Sequence, residues 1–306
     1  MKKILFHIGY PKTGTTSLKK IIEKFYEDWF YLNKEEAGNI TQKKLRNLSD
    51  SVFIHNDEIK LYPLINQIIM SCENLHYQKF FFSVEDILGF ENINKQINLN
   101  FFFKIIKKLE KFYNIEILLT IRNQSDMVES NFAYNYHNYF NKFSGSINYF
   151  FENACSNKIL IHNLNFDKIL KKIIKSEKTI HILPLEYIYY PKLYKNKIRW
   201  IFKNKKKIEI FKENSTSTNK GGKKIIRSLL YNYLLKIHLI LKKNYIYEIS
   251  SKKVRRVIKN YFEKKSYKEI IIDSKLKINF QKKFSLSNKL FLKKNKISNK
   301  MSKYYL

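Results

Sequence analysis

The sequence predicts an α/β fold, a single domain with a central, mainly parallel sheet flanked by helices and a helical C-terminal portion. Three observations carry that expectation. Short β-branched and aromatic runs recur at residues 3–8, 79–84, 115–121 and 179–183, the composition of buried strands. Amphipathic helical stretches separate them, and strands alternating with helices form parallel sheets. The first run ends in Gly9, and its loop passes directly into a helix. That unit turns backbone N–H groups and a helix N-terminus toward an anion.

Taken in order, KILFHI at residues 3–8 is the first strand, and residues 15 to about 26 form the first helix. A second helix is expected over residues 59–74. KFFFSV at residues 79–84 reads as a buried strand, and residues 99–113 as a helix. IEILLTI at residues 115–121 is the clearest central strand, and it runs straight into Arg122. Helix character follows over residues 125–137, with Ser125 as the expected N-cap. A fourth strand at residues 179–183 ends at Pro184. After Phe211 the pattern changes to a polar stretch, ENSTSTNKGGKK, and then to lysine-rich helices. The expected division is residues 1–210 as the α/β core and 211–306 as the polar loop and helical C-terminal part of the same domain.

Composition narrows the function classes. Hydrophobic residues make up 44% of the 306, with 24 Phe and 22 Tyr, so a sizeable core forms and global disorder is excluded. Cys72 and Cys155 lie far apart, which argues against a disulfide framework or a zinc site and fits a reducing compartment. A strand-like run begins within three residues of the N-terminus, leaving no room there for a signal peptide. The best candidate span, residues 225–241, is broken by Arg227, Asn232, Lys236 and His238. A soluble, cytoplasmic chain without a transmembrane segment is expected.

The formal charge of +33 has two readings. One is a polyanionic partner. The other is compositional bias toward Lys, Asn, Ile, Phe and Tyr. Six of the 59 basic residues are arginine, the residue favoured for bidentate phosphate and base recognition, which weighs against nucleic acid. Attraction of an anionic substrate and peripheral membrane contact both stay compatible with this charge.

The stretch GYPKTGTTS carries the chemistry. Gly9 and Gly14 keep the spacing of a Walker A loop, but Thr15 stands where its lysine would be, and the lysine is at Lys12. From the leading limb of the loop, Lys12 can reach an oxygen bridging a phosphate to the group being transferred. Gly14 allows backbone approach, while Thr13, Thr15, Thr16 and Ser17 supply N–H and hydroxyl donors at the helix start. Such a site binds a 5′-phosphate without requiring a metal.

At these residues the chain resembles a family. HIGYPKTGTTSL is similar to the 5′-phosphosulfate loop of the sulfotransferases that use 3′-phosphoadenosine-5′-phosphosulfate (PAPS). That family's second motif is a strand-end arginine followed eight residues later by a helix serine, both on the 3′-phosphate. Here IRNQSDMVESNFAY supplies Arg122 and Ser130 at that spacing. FFFSVEDILGF resembles the Ser-x-Glu segment of bacterial carbohydrate-type members. NFDKILKKI with HILPLEYI resembles the helix and strand after the second motif, and SNKLFLKKNKISNKMSKYYL the family's C-terminal Asn-containing helix and tyrosine-rich tail. An Arg-Lys-Gly signature of the cytosolic small-molecule enzymes is replaced by Asn219, Lys220 and Gly221, which favours the bacterial glycan-type branch.

The resemblance implies a P-loop-like fold and in-line transfer of a sulfuryl group from PAPS, without a metal, to a hydroxyl of a carbohydrate or glycoconjugate. It implies nucleotide contacts from Pro11, Lys12, Thr13, Gly14, Thr15, Thr16, Ser17, Arg122, Ser130, Lys220 and Gly221. Catalytic roles fall to Lys12, on the bridging oxygen, and to Glu85 as base, with His55 and His162 as alternatives. His7, mid-strand, reads as a satisfied core or near-site histidine, and Ser83 as a buried strand serine or a substrate contact.

Two other classes compete. A P-loop kinase-like phosphotransferase expects lysine at position 15 and a metal-binding aspartate ending a neighbouring strand, where this chain has Thr15 and Arg122. A non-catalytic basic protein on nucleic acid or membrane leaves both phosphate motifs without a purpose.

Overall fold

The computed structural model describes residues 1–10, 13–33, 40–88, 99–134, 143, 146–209, 225–226, 268–269 and 272–306. The chain divides into two compact units. One holds Met1–Met127, Ala154–Glu213 and Ile278–Leu306, and the other Val128–Asn153 and Asn214–Lys277.

The first unit is built on a five-stranded sheet of β1 (Lys3–Gly9), β2 (Trp29–Tyr31), β3 (Lys79–Val84), β4 (Asn114–Ile121) and β5 (Thr179–Pro184). Their order is β2-β3-β1-β4-β5, and every pairing is parallel. From β1 the chain crosses through α1 (Thr15–Phe25) to the β2 edge, whereas β4 leads to the opposite edge at β5. The crossovers diverge beside β1 and β4, and such a switch point opens a crevice at the strands' carboxyl ends.

Side chains alternate across the sheet. On one face Leu5, Phe81 and Leu118 pack against Leu18, Ile21 and Ile22 of α1. Ile198, Ile201 and Phe202 of the helix Pro191–Phe202 join that core. On the other face Phe6 meets Phe82 and Phe102, edge to face, with ring centroids 5.4 and 5.9 Å apart. Phe102 belongs to α4 (Asn100–Leu109), which follows α2 (Ile40–Phe53) and α3 (Leu61–Glu73).

The first face is apolar only in its middle. At its amino end Glu116 receives Lys3 at 2.7 Å and His181 Nε2 at 2.6 Å, all three side chains largely buried. At its carboxyl end stand His7, Ser83 and Thr120. Strand β4, the clearest strand in the sequence, therefore carries polar side chains at both ends of one face.

The four expected strands are present. Strand β2 was not legible, being three residues long and held by tertiary pairing to β3. The expected helix over residues 59–74 is a 3-10 turn, Glu58–Lys60, followed by α3. Helix α5 (Gln124–Tyr134) starts ahead of Ser125, because the Asn123 carboxamide oxygen caps it by accepting the Asp126 N–H at 3.1 Å. Beyond lie α6 (Ile147–Ser156), α7 (Lys158–Asn163) and α8 (Phe166–Ile174), and α9 is Pro191–Phe202. Residues 272–306 carry three helices, α10 (Ser274–Lys282), α11 (Ser285–Lys294) and α12 (Asn299–Ser302), while the expected polar loop and most of the expected lysine-rich helices before them lie outside the described residues.

In the second unit the Phe150 ring packs against Phe132 and Phe143, with centroids 5.1 and 4.9 Å away. Lys277 pairs with Glu129 at 2.9 Å, and a short antiparallel pair joins Ile225–Ile226 to Lys268–Glu269. Among the described residues no helix is long and apolar enough to cross a membrane.

Candidate active site

The site begins at the carboxyl end of β1. Gly9 stands opposite Thr120 of β4, and a Cβ there would lie 2.0 Å from Thr120 Oγ1, so no larger residue fits without moving that hydroxyl. Thr120 Oγ1 lies 2.8 Å from Thr13 Oγ1, whose own hydroxyl donates to the Tyr10 carbonyl at 2.6 Å. The hydroxyl bridge ties the loop after β1 to the neighbouring strand. Tyr10 is fully buried and donates its hydroxyl to the Asn163 carbonyl at 2.7 Å; burial pushes that phenol far above its ordinary range.

Gly14 caps α1 with φ +76°, a left-handed conformation that favours glycine. A Cβ at Gly14 would also lie 2.2 Å from Leu185 Cδ1. Thr15, Thr16 and Ser17 form the first turn of α1, which carries no acidic residue. The partial positive end of the helix thus stands with no carboxylate in that turn. Thr13, Thr15 and Ser17 are buried.

A polar chain runs from this loop across the sheet. His7, fully buried and stacked on Phe81, places Nε2 at 3.2 Å from Thr120 Oγ1 and Nδ1 at 2.8 Å from Ser83 Oγ. Asn33, in the turn after β2, clasps the Ser83 backbone from both sides: its amide donates to the Ser83 carbonyl at 2.7 Å, and its oxygen accepts the Ser83 N–H at 3.0 Å. Residues Thr13, Thr120, His7, Ser83 and Asn33 therefore link the ends of β1, β3 and β4. Ser83 is paired to protein groups, as the reading of a buried strand serine expects.

Arg122 follows β4 directly, two residues past Thr120, at the same end of the sheet as the loop. Its charge acts on Glu186, whose carboxyl burial pushes above its ordinary range against the opposing hydrogen bonds of Asn123 and Tyr305. Glu186 belongs to the 3-10 turn Leu185–Tyr189 after β5, next to the leucine that packs on Gly14.

The remaining candidates are placed as follows. Pro11, Lys12, Lys220 and Gly221 lie outside the described residues. Glu85 opens the 3-10 turn Glu85–Leu88 directly after β3, and its side chain lies outside the described set. Ser130 sits half-buried on α5, within the second unit. His55 is exposed in the turn after α2. His162 lies in the last turn of α7 with Nε2 3.4 Å from the Lys172 ammonium, and burial followed by the charges of Lys172 and Lys168 lowers its pKa. A histidine facing a lysine is a poor proton acceptor. No group of acidic, Cys and His side chains among the described residues could hold a metal ion.

Sequence reasoning missed Thr120, Asn33 and Glu186. Thr120 carried a signal, being the polar residue two before a strand-end arginine on the face of Leu118. Asn33 and Glu186 act through partners 50 and 63 or more positions away, and nothing local marks them.

A family model described as Sulfotransferase domain matches residues 2–268. Comparison with curated proteins gives no match.

Proposed function

The chain belongs to the sulfotransferase domain family, and from that premise we propose that it transfers a sulfuryl group from PAPS to a hydroxyl of a carbohydrate or glycoconjugate. The observation that carries this reading is the Thr13–Thr120 bridge beneath Gly9. It sets the hydroxyl-rich start of α1 and Arg122 at one end of the β1–β4 pair. An anion-binding helix start and a cation on the next strand suit a nucleotide with phosphates at two separate positions.

In this reading the backbone of Thr13 and Gly14 and the backbone and hydroxyls of Thr15, Thr16 and Ser17, with Pro11 shaping the loop, hold the 5′-phosphosulfate; the Thr13 hydroxyl donates to the Tyr10 carbonyl instead. Arg122 and Ser130 hold the 3′-phosphate, and Lys220 and Gly221 close over the nucleotide. The acceptor oxygen forms a bond to sulfur as the bond from sulfur to the bridging oxygen breaks. Lys12 stabilises the negative charge growing on that bridging oxygen, and 3′,5′-diphosphoadenosine departs. Glu85 takes the acceptor's proton. Positioning and charge stabilisation supply the acceleration, and no metal is called for.

The whole chain is read as one such domain, with residues 1–210 as the nucleotide-binding core. A cytoplasmic, bacterial setting is part of this reading: Cys72 and Cys155 lie far apart in the sequence, which fits a reducing compartment, and the net positive charge suits an acidic glycan over a nucleic acid. The test is PAPS turnover against a panel of cell-envelope glycans, acidic and neutral. Transfer to at least one glycan hydroxyl, lost in Glu85→Gln, is the expected outcome. Turnover confined to small phenolic acceptors would overturn the glycan assignment.

A further inference from the structure

The three residues after Arg122 are tied to the C-terminal tail by a buried polar network that the transfer reaction does not account for. Glu186, 2% exposed, accepts the Asn123 N–H at 2.6 Å through one oxygen and the Tyr305 hydroxyl through the other. The Asn123 amide donates to the Tyr304 carbonyl. Gln124, fully buried, exchanges hydrogen bonds with Asn288 of α11, 2.9 Å from its Nε2 and 3.1 Å to its Oε1, and accepts Gln281 Nε2 at 3.2 Å. The Tyr305 carbonyl in turn accepts Asn288 Nδ2 at 2.7 Å and Gln281 Nε2 at 2.8 Å. The Ser125 N–H donates to Gln281 Oε1 at 3.2 Å.

Burying a carboxylate, a phenol and four carboxamides is costly, and apolar residues of similar volume would fill the same space with less desolvation. What the network does, and an apolar core would not, is fix one peptide. The N–H held by Glu186 belongs to the peptide joining Arg122 to Asn123, and the charge of Arg122 acts on both Glu186 and Tyr305. The chain leaving β4 through Arg122 is thus clamped one residue beyond the arginine by a group from β5's turn and a group from the chain's last residues.

We propose that Glu186 and Tyr305 are positioning residues that hold the Arg122 peptide so that its guanidinium meets the nucleotide's 3′-phosphate. This rests on the reading of Arg122 as the 3′-phosphate ligand. The Tyr305 hydroxyl sets the Glu186 carboxylate, Glu186 sets the peptide, and Asn288 and Gln281 hold the tail in register.

The experiment compares affinities for 3′,5′-diphosphoadenosine and for 5′-AMP, which lacks the 3′-phosphate, by calorimetry on the full chain. Both titrations use the same sample, so a partly unfolded variant leaves their ratio unchanged. Tyr305→Phe removes one hydroxyl and is expected to lower the ratio about tenfold, the weight of one buried hydrogen bond to a charged group. Glu186→Leu removes both acceptors and lowers the ratio further. Glu186→Gln, whose amide can accept from Asn123 and donate to the Tyr305 oxygen, keeps the ratio within about threefold of the original. In an Arg122→Ala background Tyr305→Phe has no further effect. Equal weakening of both ligands by Tyr305→Phe, or none, while Arg122→Ala lowers the ratio, overturns the positioning role alone. An unchanged ratio in Arg122→Ala overturns the reading of Arg122 and the positioning role with it.

Discussion

Gly9→Ala is the sharpest probe of how the loop is anchored. The added Cβ would lie 2.0 Å from Thr120 Oγ1, where ordinary contacts begin at 3.4 Å. Thr120 must swing its hydroxyl away, and it then loses Thr13 at 2.8 Å and His7 at 3.2 Å. Two neutral hydrogen bonds contribute about 1 kcal/mol each, and overpacking adds roughly 1–3 kcal/mol. The expected loss is therefore about 3–5 kcal/mol, a large share of the roughly 5–15 kcal/mol that holds a domain together. Urea unfolding midpoints of Gly9→Ala, Thr120→Ala and the double variant measure it. Thr120→Ala removes the clashing atom and the same two hydrogen bonds, so the double variant should lose about 3–5 kcal/mol less than the sum of the single losses. A Gly9→Ala loss below about 0.5 kcal/mol, or strict additivity, would refute the close approach and the bridge built on it.

Glu116 gives a pH dependence. Burial pushes its carboxyl up, but hydrogen bonds from His181 and Lys3 outweigh it and hold the pKa down at about 2. The folded value lies below the unfolded one, so the stabilisation is present above pH 4.5 and is lost as pH falls toward about 2. It is worth on the order of 3 kcal/mol, and acid unfolding should be markedly less steep in Glu116→Gln than in the original chain. Parallel acid curves for the two would contradict the assignment. Gly14→Ala combines the left-handed φ of +76° with a Cβ 2.2 Å from Leu185 Cδ1. It should cost about 2–4 kcal/mol in thermal unfolding and weaken 5′-AMP at the same time. An unaffected 5′-AMP affinity would detach the cap from phosphate binding.

Much of the fold was legible because β1, β3, β4 and β5 are predominantly apolar runs, as strands covered on both faces tend to be. Helix α1 was legible from its apolar spacing after Gly14. The cap of α5 was misplaced at Ser125, since Asn123 and Ser125 are both capping residues and only the fold decides which is used. Within the site, Gly9, Gly14 and Arg122 stand out locally, since a glycine spacing and a strand-end cation are features of adjacent residues. The groups that hold them are not local. Thr120 meets Thr13 across 107 positions, His7 meets Ser83 across 76, and Tyr305 meets Glu186 across 119. Glu116 is the one charged residue within IEILLTI, and its purpose depends on Lys3 and His181 arriving from β1 and β5.

The central claim is that the start of α1 and Arg122 form a site for a nucleotide bearing separate 5′- and 3′-phosphates. Calorimetric titration with 3′,5′-diphosphoadenosine, ATP and 5′-AMP, each with and without magnesium, tests it most directly. The account predicts tight binding of 3′,5′-diphosphoadenosine that is indifferent to magnesium and falls sharply in Arg122→Ala. A preference for magnesium-bound ATP would contradict it.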